Sequence, residues 1–249
     1  MTDASRSAAL SPLEPLRSGD PARALPVKQS RSEKTRDALL QTGTALLAAG
    51  GFDDVSIAQI AAASGCSVGA FYQRFQSKKA YFEFLLDRVV DQVTLQTQQT
   101  LTAESTAHLN LGQTIQACVN HHIGIVRTHE GLIRAALAYS MNGSDDWQPI
   151  GNVGAWLNAH YIQLIMPKSR QRDKVATRKR LLIGLHVIGG HLINVISHTT
   201  TVLPLHDREL PFWLGRMVAS CMKAPSAGDS PYTAGQPSPQ RAQRARTSP

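Results

Sequence analysis

Apolar residues recur at helical spacing along most of the chain, and no stretch alternates between apolar and polar residues as a strand does. The longest apolar stripe runs from Ser77 to Leu101, where large residues repeat every three or four positions before glutamine and threonine take over. Further helix-period segments are predicted near residues 108–128, 130–141, 145–166, 171–199 and 208–223. The pattern therefore predicts an all-α fold.

Two shorter helix patterns lie in residues 56–76, on either side of the small-residue turn Ser64-Gly65-Cys66. Ser56 and Gln59 have the spacing of a capping box, and Ser67 is placed to cap the second helix. Gly65 is expected to take a positive φ, because glycine adopts that conformation without steric cost. Two short helices joined by such a turn are typical of a helix-turn-helix, whose second helix enters a major groove of DNA.

The order of these patterns predicts two domains between unstructured ends. Residues 1–29 are rich in Ser, Ala, Pro and Arg and are expected to be a disordered leader. A capping box at Ser30 and Glu33 opens a helix that Gly50-Gly51 should end, so residues 30–76 form a three-helix DNA-binding unit. Residues 77–223 form a helical ligand-binding and dimerisation domain, in which 77–101 is the linking helix. Residues 224–249 are expected to be a disordered basic tail.

Composition narrows the class of partner and the compartment. The net charge of +8 on 249 residues favours a polyanionic partner, nucleic acid before membrane. The three cysteines are far apart and define no disulfide framework, which fits a reducing compartment. No secretory signal is evident, and the apolar run Leu181–Ile196 falls short of the roughly 20 residues of a membrane span. A soluble, cytoplasmic protein without membrane contact is predicted.

Residues 34–86 together resemble the DNA-binding region of the TetR (tetracycline-repressor-like) family of transcription regulators. The motifs that carry the resemblance are GF at 51–52, SIAQIA at 56–61, SGCSVGAFYQRF at 64–75 and SKK at 77–79. The departures are mild, with Cys66 in place of an aliphatic residue and Lys79 in place of an acidic one. The resemblance implies an all-α, two-domain homodimer whose C-terminal domain binds a small ligand and dimerises.

The candidate DNA contacts divide into phosphate contacts and base contacts. The resemblance implies that Tyr72 and Lys78 hold phosphates, although a packing residue and a solvated helix start are the alternatives for them. Gln73 can contact adenine, and Arg74 guanine or a phosphate. Ser56 and Ser67 are further candidates, because each begins a helix. Val68 and Ala70 could contact a thymine methyl group, and Gly69, which has no side chain, would let the helix axis approach the groove.

The sequence of the C-terminal domain says less about its function than that of the DNA-binding unit. An apolar seam is predicted on the helix at 171–199, and it is either a dimer interface or an internal core seam. Its members are Leu181, Leu185, Ile188, Leu192 and Val195, with the small residues Gly184, Gly189 and Gly190 beside them. An apolar ligand pocket is predicted from Tyr139, Met141, Trp147, Trp156 and Tyr161, although such residues are often plain core. The histidines lack the i, i+4 spacing of a one-helix zinc site, so neither metal nor cofactor is expected.

The sequence therefore predicts a sequence-specific DNA-binding regulator, which we expect to be a repressor that a small-molecule effector releases from a near-palindromic operator. A ligand-independent architectural DNA-binding protein is one alternative, and a pocket too small for any metabolite would favour it. An enzyme that uses the helical domain is another, although residues 77–223 contain no G-x-S-x-G elbow, P-loop or HExxH motif and no catalytic residue is predicted.

Overall fold

The computed structural model describes residues 30–49, 52, 54–141, 148–198 and 202–223, without the side chains of 30–32, 139–141 and 148. The predicted leader and tail, the capping box at Ser30 and the Gly50-Gly51 helix end lie outside the described residues or side chains.

The described residues form α-helices and contain no strand, so the all-α prediction is confirmed. The helices of the N-terminal region and the linking helix are α1 (Ser30–Ala48), α2 (Ile57–Ala63), α3 (Val68–Tyr72) and α4 (Lys78–Thr100). The others are α5 (Leu111–Thr128), α6 (Glu130–Met141), α7 (Gln148–Ile165), α8 (Lys174–Ser197) and α9 (Leu210–Cys221). A 3₁₀ turn, Met166–Lys168, follows α7.

Side-chain caps determine where the short helices α2 and α3 begin. The Ser56 hydroxyl accepts a hydrogen bond from the backbone N–H of Gln59 at 3.2 Å, and the backbone N–H of Ser56 donates to Gln59 Oε1 at 2.8 Å. The predicted capping box is therefore present. The Ser67 hydroxyl accepts a hydrogen bond from the backbone N–H of Ala70 at 3.1 Å. Gly65 has φ of +67°, as the turn requires. Local sequence chemistry is therefore sufficient to specify the helix-turn-helix.

An aromatic cluster holds α1, α2 and α3 against the N-terminal half of α4, and we call this unit the head. Phe71, Phe75 and Tyr81 are fully buried, with ring centroids 5.0–5.4 Å apart. The Tyr81 hydroxyl donates to the Leu39 carbonyl of α1. One long and two short helices bury little apolar surface alone, so the head depends on α4 for part of its core.

Helix α6 also packs into the head. Leu132, Ala135 and Ala136 belong to the same buried cluster as the aromatic residues of the head. Gly131, in the first turn of α6, lies against the last turn of α1, where a side chain would overlap the Leu47 carbonyl oxygen. The sequence predicted only α4 as the link between head and C-terminal domain, so α6 is a second link that the sequence did not reveal.

The remaining helices form a separate core from α5, α7, α8, α9 and the end of α4, which we call the body. The seam predicted on α8, from Leu181 to Val195, is buried in this core, so its members are internal core residues. Gly184 packs against α9 of the same chain, where a Cβ atom would lie 3.4 Å from Val218 Cα and Cys221 Cβ. Its small size therefore serves helix packing within the chain.

By length and composition, the 24-residue helix α8 could cross a membrane, although the sequence analysis judged its apolar run too short. Leu181, Leu185 and Leu192 are at most 2% exposed within the body. A core helix of a soluble protein has the same composition, and the position of α8 in the body agrees with that role.

Candidate nucleic-acid interface and ligand cavity

Helix α3 has one buried and one exposed side. Phe71 is 0% exposed, whereas Val68, Gly69, Tyr72 and Gln73 are exposed to solvent. Tyr72 is 49% exposed and packs with its ring edge-on to Phe71, at a centroid distance of 5.7 Å. Its ring is thus supported by the core while part of the side chain remains open to solvent. The exposed side is the surface that the sequence predicted to face DNA bases.

Arg74, which the sequence predicted to contact guanine or a phosphate, does not lie on that exposed side. Only 8% of Arg74 is exposed, and its Nη1 donates to the Ala70 carbonyl at 2.5 Å. The carbonyls at the C-terminal end of a helix carry partial negative charge and lack partners within the helix. The guanidinium therefore stabilises the end of α3, which it can do only by folding back onto the helix.

The start of α4 places positive charge beside α3. The Ser77 hydroxyl accepts from the Ala80 amide at 3.0 Å, and the other amides of the first turn point outward. Lys78 is half-buried, with its ammonium group 5.0 Å from the centroid of the Phe52 ring. Its neighbour Lys79 pairs with Glu83, at an N···O distance of 3.9 Å. A helix N-terminus next to a positioned cation is suited to binding a phosphate.

The other candidate DNA contacts are exposed or partly exposed. Ser56 and Ser67 are exposed N-caps whose hydroxyls already accept amide hydrogen bonds. Ala70 is partly exposed between the exposed Gly69 and the buried Phe71. The structure therefore leaves every candidate except Arg74 on an accessible surface.

A cavity of about 420 Å³ lies between α4, α5, α6, α7 and α8. Its apolar wall includes Leu86, Val89, Val90 and Val93 of α4, with Leu132 and Ile133 of α6. His122, His129, Asn158 and His186 supply the polar atoms. Small-molecule sites usually occupy roughly 300–1,000 Å³ and have this balance of apolar wall and few polar groups.

Among the predicted pocket residues whose side chains are described, neither Trp156 nor Tyr161 lines this cavity. Trp156 and Tyr161 are 6% and 0% exposed and belong to the body core, which is the alternative that the sequence left open for them. Trp156 stacks on His160 at 5.3 Å, and the Tyr161 hydroxyl lies 3.0 Å from His121 Nδ1. The large aromatic residues fill the core because they bury the most apolar surface. The side chains of Tyr139, Met141 and Trp147 lie outside those described.

The polar residues that line the cavity were not among the predicted pocket residues. On α7, Asn158 stands three, four and seven positions before the buried Tyr161, Ile162 and Ile165. On α5, His122 similarly follows the buried Val119 by three positions. A polar residue at a core position of an amphipathic helix was the available signal, because buried polar groups need a partner.

The fold and this surface define a helix-turn-helix DNA-binding protein with a separate helical domain. Residues 39–83 match the family model for bacterial regulatory proteins of the tetR family. This match confirms that the head resembles the TetR family of transcriptional regulators, whose members bind DNA.

A solved structure has the same overall fold. The crystal structure of a protein described as a TetR-family transcriptional regulator from Mesorhizobium loti aligns with a TM-score of 0.58, over 78% of this chain and 98% of that one. The sequence identity is 18%, so this similarity concerns the fold alone. No curated protein matches the chain significantly.

Proposed function

We propose that this protein is a cytoplasmic repressor that binds a near-palindromic operator as a homodimer and is released by a small-molecule ligand. The observation that carries the proposal is the capped helix-turn-helix with one side of α3 exposed beside the cationic start of α4. Selection of bound duplexes from a random pool by the purified protein tests it. Failure to enrich any sequence at moderate salt would contradict specific recognition.

In this proposal, each head supplies phosphate contacts and base contacts from adjacent elements. Lys78 and Tyr72 bind phosphates, which provide much of the affinity. Gln73 reads a base edge, and Val68 and Ala70 contact thymine methyl groups. Gly69 has no side chain, so α3 can lie deep in the groove.

The first prediction separates phosphate contacts from base contacts. Tyr72→Ala and Lys78→Ala should weaken binding to every duplex, and Lys78→Ala should reduce the salt dependence of log Kd by about one per lost phosphate contact. Gln73→Ala should instead relax the choice of base at one position, by about 1–3 kcal/mol. Fluorescence anisotropy with a panel of single-base variants of the selected duplex, at several salt concentrations, measures both effects.

Lys79→Ala is the matched control, because it removes the same charge from the next residue of the same helix. Lys79 is not one of the proposed phosphate contacts, so its loss should affect DNA affinity less than the loss of Lys78. Equal effects of the two substitutions would indicate general electrostatic attraction and contradict a phosphate contact at Lys78. Since Lys78 also packs over Phe52, urea unfolding of the variant must show that the head remains folded.

The proposed dimer uses the outer side of α8 and the start of α9. Large apolar side chains are 40–54% exposed there, namely those of Leu182, Ile183, Val187, Phe212 and Trp213. Exposed apolar residues concentrated on two adjacent helices favour a protein–protein interface. A dimer would place two recognition helices about 34–36 Å apart, on successive major grooves.

The second prediction tests this interface. Val187→Glu should convert a dimer into a monomer at micromolar concentration. In a two-fold interface, both subunits would bury the new carboxylate without a partner. Light scattering after size-exclusion chromatography measures the mass. Leu95→Glu is the control, since Leu95 is a 56% exposed apolar residue of α4 outside the proposed surface. A dimeric Val187→Glu protein would refute this choice of interface.

The cavity supports control by a ligand over the architectural alternative, since its volume of 420 Å³ is large enough for a metabolite. Its wall includes α4 and α6, the two helices that also pack into the head. A ligand changes DNA affinity only if it binds one arrangement of these helices more tightly than another. We propose that α4 and α6 carry this difference to the spacing of the heads.

A further inference from the structure

The amide side chain of Asn158 is the most informative group in the cavity wall. Asn158 is 8% exposed, and its Oδ1 atom has no hydrogen-bond partner among the described residues. A buried acceptor without a partner costs free energy, so proteins rarely keep one without a reason. Asparagine is also a poorer helix former than the apolar residues around it. Asn158 lines the cavity and the terminal torsion of an asparagine side chain is broad, so the amide can turn Oδ1 toward a ligand that donates an N–H or O–H.

The rest of the wall is unsuited to a charged ligand. Among the described residues, the wall contains no lysine, arginine, aspartate or glutamate. Burial, and secondarily the proximity of His121, lowers the pKa of His122 to about 4, so this imidazole is neutral at physiological pH. Burial also lowers the pKa of His129. A carboxylate or ammonium group would lose its hydration here and would find none of these four residue types in the described wall to pair with.

We propose that the effector is an uncharged, largely apolar molecule that donates one hydrogen bond to Asn158 Oδ1. This inference rests on the proposed control by a ligand and names the chemical class of that ligand. The apolar wall provides affinity through buried surface, and Asn158 orients the molecule. The polar group of the ligand would thus face α7, while its apolar body contacts α4 and α6.

Three fluorescent probes with one common skeleton test the proposal on the full-length native protein. N-phenyl-1-naphthylamine is uncharged and has one N–H donor. Its N-methyl derivative lacks the donor, and 8-anilino-1-naphthalenesulfonate adds a negative charge. We expect one site per chain for the amine, with a Kd about tenfold lower than for either analogue, because one hydrogen bond is worth about that factor.

Asn158→Leu should abolish the preference for the amine over its N-methyl derivative. Because it replaces an unpaired polar group by an apolar one of similar size, it should also raise the Tm of the ligand-free protein by about 2–4 °C. Asn152→Leu is the matched control, since Asn152 is an exposed residue of the same helix outside the cavity wall. It should leave the preference unchanged.

The outcomes separate the ligand class from the control function. Failure of the amine to bind, equal or tighter binding of the sulfonate, or a preference that survives in Asn158→Leu would each overturn the proposed class. Anisotropy with the selected duplex, with and without the amine, tests control separately. If the amine binds through Asn158 without changing DNA affinity, the ligand class holds and control by such a ligand fails.

Discussion

Phe71→Ala should destabilise the protein by about 3–5 kcal/mol, which is a large part of the roughly 5–15 kcal/mol that stabilises a typical domain. The Phe71 ring is fully buried and lies 5.4 Å from Phe75 and 5.3 Å from Tyr81. Its loss leaves a cavity at the point where α3 meets α4, and the five-residue helix α3 has little stability of its own. Urea unfolding followed by circular dichroism at fixed protein concentration measures the effect.

Val68→Ala is the matched control on the same helix. Val68 is 40% exposed, so its truncation should change the free energy of unfolding by less than about 0.5 kcal/mol. The two substitutions therefore distinguish the buried side of α3 from the exposed one. Loss of less than about 1 kcal/mol for Phe71→Ala would mean that the ring does not hold α3 in the head.

Gly131→Ala should destabilise the contact between the head and the body. The added Cβ atom would overlap the Leu47 carbonyl oxygen and would lie 2.6 Å from its carbonyl carbon. Backbone atoms in a helix cannot move away cheaply, so α6 must shift relative to α1, at a cost of about 1–3 kcal/mol. We expect a lower free energy of unfolding and faster hydrogen exchange in the last turn of α1.

Replacing Gly124 by alanine should instead raise the free energy of unfolding. Gly124 is an exposed residue inside α5, and a Cβ atom there would meet nothing within 4 Å. Alanine is a better helix former than glycine, so Gly124→Ala should stabilise the protein by about 0.5–1 kcal/mol. If Gly131→Ala were also stabilising, the close approach of α1 and α6 would be refuted.

The head was predictable because its local structure follows from residues close together in the chain. The caps at Ser56 and Ser67 and the turn at Gly65 are confirmed, and each involves contacts over only a few residues. Arg74 was not predictable in the same way. An arginine after a short helix can extend toward DNA or fold back onto the helix carbonyls, and packing in the head selects the second conformation.

The cavity was not predictable, because its wall comes from five helices that are distant in the sequence. Trp156 and Tyr161 have the composition expected of a pocket, but the packing of the body places them in its core. Periodicity identifies the apolar side of a helix without revealing which other helix covers it. The cavity therefore follows from how well these surfaces fit together.

The amino-acid pattern alone specified the helices, their order, the capped helix-turn-helix and the TetR resemblance, since all of these arise from short-range spacing. Three features depend on contacts between distant segments: the docking of α6 on α1 at Gly131, the internal position of the α8 seam, and the burial of Asn158 in the cavity wall, where its oxygen has no hydrogen-bond partner among the described residues. Each is a matter of which surfaces meet, and only the packed chain determines that.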